Sequence, residues 1–189
     1  GVAMYINAPI KKYLKDLAAK TPAPGGGSAA ALSSALAASL VCMATQFTLG
    51  KEKYVAFAPR AKKILAASSR MLTDLSALLD EDVSAYKNKD MRKAVQVPAQ
   101  VCQLSYELMG FAVELLERGN KNLATDAGLA VLLSEAGFEA GFSYVRVNLK
   151  CLKEAYSYRP LLKKLNATAK KIKVLRRKTE VAVGYSIGR

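Results

Sequence analysis

Histidine is missing altogether from the 189 residues. Its absence excludes a Ser-His-Asp triad, a Cys-His pair and every zinc site that needs an imidazole. Acid–base work must fall to carboxylate, Lys, Tyr, thiol or backbone groups. Cysteine is nearly as scarce. Cys42, Cys102 and Cys151 form no C-x-x-C pair, and an odd, scattered set predicts free thiols in a reducing compartment, each a small buried hydrophobe. Six prolines and few alternating runs leave little from which to build a sheet. The N-terminus lacks a basic flank followed by a continuous apolar stretch, which predicts no signal peptide and a cytoplasmic address. Acids are also in short supply: 15 Asp and Glu face 29 Lys and Arg, a formal net charge of +14.

What is present is a hydrophobic fraction of 51%, enough for the core of one domain spanning 1–189. Ile10, Tyr13, Leu14 and Leu17 recur at helical spacing. Thr21-Pro22-Ala23-Pro24 and Gly25-Gly26-Gly27 break that helix, and Ser28 opens a charge-free run through Gln46, mostly Ala, Ser and Leu. The run approaches a membrane span in length but is weakly apolar for lipid, so it predicts a buried central helix. Pro59 suits the first turn of a third helix. A fourth follows Asp90, with Pro98 kinking it or marking its true start, and Gly119-Asn120 stops it. Asn122 or Thr125 could cap a fifth, running towards Leu149 and Leu152, and a basic amphipathic helix follows Pro160. Six or seven helices and almost no strand predict an all-α bundle around the Ala/Ser-rich helix.

Residues 146–189 hold 13 of the basic residues against Glu154 and Glu180. That surplus reads as a solvated helix face or as a polyanion-binding surface. Three other segments could carry chemistry. Gly25-Gly26-Gly27-Ser28 stands before a helix, where glycines allow positive φ and close backbone approach and the first-turn amides favour an anion; Ser28 could equally be a plain N-cap. Asp126, after the polar turn from Gly119, could cap a helix or aim into a cleft. Asp80, Glu81 and Asp82 interrupt an apolar stripe, with Asp82 and Tyr86 on one face.

Read together, Pro22-Ala23-Pro24-Gly25-Gly26-Gly27-Ser28, Leu49-Gly50-Lys51-Glu52-Lys53-Tyr54, Asp82-Val83-Ser84-Ala85-Tyr86, Val97-Pro98, Gly119-Asn120, Thr125-Asp126 and Val147-Asn148-Leu149-Lys150 resemble the cyclodeaminase/cyclohydrolase family. That family includes the C-terminal domain of formiminotransferase-cyclodeaminase and stand-alone methenyltetrahydrofolate cyclohydrolases. The resemblance covers about residues 8–155. It implies an all-helical domain that forms a homodimer and acts on the one-carbon bridge of tetrahydrofolate without a metal or redox cofactor. One reaction closes 5-formiminotetrahydrofolate to 5,10-methenyltetrahydrofolate with loss of ammonia; the other hydrolyses the methenyl bridge to 10-formyltetrahydrofolate.

On that resemblance Asp126, then Asp82, are the acid–base carboxylates. Gly25, Gly26, Gly27, Ser28 and Asn120 form a wall of the folate cleft, and Lys51 and Lys53 take a polyglutamate tail. Thr125 keeps the hydroxyl of the family's usual Ser. Tyr144 replaces an amide in the family's Asn-Val-x-Ile-Asn-Leu pattern, and the segment 87–96 is shorter than in relatives. All these groups are expected to converge on one cleft. The rival reading is a catalytically silent basic module binding nucleic acid or another polyanion.

Overall fold

The structure is a computed structural model that describes residues 4–184. Six α-helices carry the chain: α1 Ile10–Leu17, α2 Gly26–Gln46, α3 Ala58–Lys87, α4 Met91–Arg118, α5 Ala124–Leu149 and α6 Arg159–Val183. Short 3-10 turns at Tyr5–Asn7, Glu52–Phe57, Lys121–Leu123 and Ala155–Tyr158 join them, and there is no strand among the described residues. The all-α expectation holds.

Helices α2 to α5 run up, down, up and down. Asp82 of α3 lies at Gly27 while Ser68 meets Cys42, so α3 runs antiparallel to α2. Ser33 Oγ donates to the Leu133 carbonyl and Tyr144 lies at Gly26, so α5 does too. Ser34 meets Ser105, and Thr48 meets Asn120, which makes α4 parallel to α2. α6 packs against α4 and α5. Small residues set these distances. A Cβ at Gly137 would fall on Ser34 Oγ, and one at Gly141 would sit 2.9 Å from the Pro98 carbonyl oxygen. Each glycine lets α5 approach a neighbour at backbone range.

α2 is long and apolar enough to cross a bilayer, with a mean hydropathy of 1.6. It is instead packed among α3, α4 and α5, and Ala31, Ala37, Ala38 and Val41 are fully buried. That is the expected central helix. It ends at Gln46 as expected, but its start differs. The helix begins at Gly26 with Gly25 as N-cap, and Ser28 lies inside the first turn, its Oγ donating to the Gly25 carbonyl rather than capping. α4 starts at Met91, capped by Asp90, whose carboxylate accepts from the Lys93 amide; Pro98 lies a further two turns in. Neither Asn122 nor Thr125 caps α5. Asn120 instead closes the preceding 3-10 turn, its Oδ1 accepting from the Asn122 amide. Cys42 and Cys102 are buried free thiols, but Cys151 is exposed, because it follows the end of α5 in a turn.

The N-terminal segment is tied down by a buried carboxylate. Asp80 accepts from the Tyr5 and Ile6 amides at 2.6 and 3.2 Å. Tyr13, the buried residue of α1, packs edge-on against Tyr5. The Tyr13 hydroxyl in turn meets Ser28 Oγ, which sets α1 against the first turn of α2.

Candidate functional site

A cleft of about 440 Å³ opens at the N-terminal end of α2, within the range of small-molecule sites. One wall is Pro22, Ala23 and Gly25 to Gly27; Asp82, Ala85 and Tyr86 of α3 form a second; Tyr144 and Asn148 of α5 form a third. Lys89, in the α3–α4 link, lines it as well, with a left-handed φ of 53°.

The glycine run works by leaving room. Positive φ among the described glycines occurs at Gly50 and Gly184, so Gly25 to Gly27 make no use of that freedom; Gly25 is extended and the helix starts directly after it. A Cβ at Gly26 would fall on the Tyr144 phenol oxygen, and one at Gly27 on the Asp82 carboxylate. Two consecutive glycines therefore cradle two polar side chains from two other helices against the first turn of α2. The unpaired amides of that turn give it a positive end.

Burial pushes the Asp82 carboxyl up from its ordinary 3.8 to about 6, although the Ser28 backbone amide pulls it partly back. Tyr13 is held above its usual value, chiefly by burial and further by the nearby Asp82 charge, against a lowering from Ser28. Its hydroxyl lies 3.0 Å from Ser28 Oγ. Since the Ser28 proton goes to the Gly25 carbonyl at 2.8 Å, Tyr13 is the donor of that pair. The glycine turn is thus bolted to α1 through two hydroxyls.

The ten singled-out residues do not meet in one cleft of this chain. Gly25, Gly26, Gly27, Ser28 and Asp82 gather at the N-terminal end of α2. Lys51, Lys53, Asn120, Thr125 and Asp126 belong to its C-terminal end, about 30 Å away at 1.5 Å per residue over 21 residues. Within one chain the two sets stay apart, for a plain reason. α5 runs antiparallel to α2, so its first turn cannot reach the end where its last turns lie. At that far end, Asn120 is buried, its backbone amide donating to Thr48 Oγ1 at 3.0 Å and its side-chain amide to the Phe47 carbonyl at 2.9 Å. Thr125, Lys51 and Lys53 are exposed. Asp126 sits in the first turn of α5, where a carboxylate complements the helix dipole.

Sequence reasoning missed Tyr13, Asn148 and Lys89. Asn148 lies in a quoted motif and could have been read; its amide donates to the Ala94 carbonyl at 2.6 Å and holds α5 to α4. The other two carried no signal, because only the packing of α1 sets Tyr13 behind the glycine turn on Ser28, and only the α3–α4 link brings Lys89 to the cleft. Among the described residues no group of three or more Cys, Asp or Glu is arranged to hold a metal.

The model of the family described as formiminotransferase-cyclodeaminase matches residues 9–89 and 87–167. The chain belongs to that family. The match divides at 87–89, within the segment expected to be shorter than in relatives. A methenyltetrahydrofolate cyclohydrolase of Methylorubrum extorquens is 34% identical, over 84% of this chain and 88% of that protein. A formimidoyltransferase-cyclodeaminase of Rattus norvegicus is 26% identical over 77% of this chain, which spans 31% of the rat protein. The crystal structure of a formiminotetrahydrofolate cyclodeaminase from Thermotoga maritima superposes with a TM-score of 0.89, covering 96% of this chain and 98% of that one at 24% identity. That last likeness supports the family fold; the sequence relatives carry the family assignment.

Proposed function

We propose that this family member is a tetrahydrofolate one-carbon enzyme, a 5,10-methenyltetrahydrofolate cyclohydrolase, a 5-formiminotetrahydrofolate cyclodeaminase, or both. The observation that carries the reading is the Asp82 carboxyl, half-buried against the α2 N-terminus and poised near pH 6. A group with that affinity exchanges a proton in both directions close to neutrality. In hydrolysis, Asp82 takes a proton from the water that adds to the methenyl carbon. It then returns that proton to the ring nitrogen as the carbon–nitrogen bond breaks, while the adduct's hydroxyl proton goes to solvent as the formyl carbonyl forms, leaving 10-formyltetrahydrofolate. In cyclisation the same carboxyl takes the proton of the attacking nitrogen and hands it to the departing amine, which leaves as ammonia. Neither route needs a metal or redox cofactor.

The C-terminal half of the residue set enters through a second copy. α2 carries no charge between Gly26 and Gln46, yet Leu36 is 50% exposed, and Leu129 and Leu132 of the adjoining α5 are 45% and 42% exposed. A charge-free stripe of this kind suits burial against itself in a homodimer. A twofold axis across the middle of α2 exchanges its ends. It carries Asn120, Thr125 and Asp126 of one copy towards the glycine turn of the other, with Lys51 and Lys53 beside them for an acidic substrate tail. The whole chain acts as one cytoplasmic domain.

The polyanion-binding alternative is not favoured. The family match spans most of the chain, and part of the C-terminal charge is spent internally, with Arg176 paired to Glu135 and Glu180. The deciding experiment follows the methenyl chromophore. Its decay reports hydrolysis and its appearance from the formimino compound reports cyclisation. No turnover of either substrate by the folded protein overturns the proposal.

A further inference from the structure

We propose that Tyr144 is a substrate-contacting residue, its phenol hydrogen-bonding a polar atom of the bound folate beside the one-carbon bridge. The proposal rests on the folate reading above and adds a contact to it. In this chain the ring extends from α5 across to α2, and its oxygen occupies the hollow left by Gly26. The Asp82 carboxylate occupies the adjoining hollow at Gly27. Two polar groups thus flank one helix end, and both line the same cleft. One turn further along α5, Asn148 spends its amide on the Ala94 carbonyl; among the described residues no hydrogen bond engages the Tyr144 hydroxyl. The residue is 37% exposed, so a core-packing role does not account for it. A phenol and an amide share what phenylalanine lacks, one donor and one acceptor.

The test compares Tyr144→Phe with Tyr144→Asn in the full-length protein. Loss of a hydrogen bond to the reacting region lowers kcat/KM of Tyr144→Phe by about 10- to 100-fold with thermal stability unchanged. Tyr144→Asn, which keeps a donor and an acceptor, stays ahead of Tyr144→Phe. A role limited to filling space gives the reverse order, because Phe keeps the ring and Asn loses it. Calorimetric titration with 5-formyltetrahydrofolate provides a readout independent of turnover, with affinity falling about tenfold in Tyr144→Phe. Wild-type binding and kinetics in Tyr144→Phe, or Tyr144→Asn falling below Tyr144→Phe, overturns the proposal. An inactive wild-type protein whose Tyr144→Phe variant still binds the probe more weakly sinks the catalytic reading and leaves this contact standing.

Discussion

The two ends of α2 are built by opposite means. At the N-terminal end, side chains have been removed: Gly26 and Gly27 leave hollows that Tyr144 and Asp82 fill, and a cleft remains open between three helices. At the C-terminal end, polar groups have been supplied. Thr48 and the Phe47 carbonyl satisfy Asn120, and the turn into α5 is closed by side-chain hydrogen bonds. The first arrangement leaves a carboxylate short of partners and shifts its proton affinity. The second pairs its polar groups and leaves no comparable strain. Reactivity accumulates where polar groups are buried without full compensation, and rigidity where they are compensated.

The largest effect that can break this contrast comes from Asp82→Asn, which lowers turnover of methenyl- or formiminotetrahydrofolate at least about 10³-fold while the helical content stays unchanged. Asp126→Asn produces a loss of similar size only through a second copy. Mixing the two inactive variants, with exchange of subunits, then restores about a quarter of wild-type activity, since one of two sites in each mixed dimer is intact. Absence of that recovery, with Asp126→Asn itself active, confines the chemistry to the glycine end of one chain.

Leu36→Glu places a charge in the middle of the exposed stripe. On the proposed homodimer it gives a monomer in light scattering and lowers activity about 100-fold without unfolding the bundle, because Leu36 is half-exposed in the single chain. A variant that remains dimeric moves the interface elsewhere.

The smallest effect is on stability. Asp82 binds its proton more tightly folded than unfolded, so its contribution is fully present below pH 3.8 and is lost as pH rises through about 6. The loss is about 2–3 kcal/mol at most. Thermal stability is expected to fall between pH 4.5 and 7 in the wild type. Asp82→Asn flattens that slope and melts higher at pH 7. Equal slopes for both proteins would show that the carboxyl is more solvated than its surroundings indicate.

Much of this was legible along the chain. The charge-free run from Ser28 to Gln46 has no solvent-facing pattern, so it had to lie at the centre of a helical bundle. Asp82 and Tyr86, four residues apart, had to share a face, and both line the cleft. Of the two properties expected of the glycines, close approach is the one used; conformational freedom is a local attribute readable from a residue's type, whereas the neighbour that fills the space they leave becomes visible only in the packed bundle. For the same reason Tyr13 gave no sign of its bond to Ser28, which spans α1 and α2.

Residue order alone determined the helices, their buried faces and the absence of imidazole chemistry, because periodicity and composition act over one or two turns. Which motif meets which was decided by tertiary structure. The antiparallel run of α5 against α2 sends Tyr144 and Asn148 to the glycine turn and Asp126 to the opposite end. Helix direction is a property of the packed bundle, and no single segment encodes it.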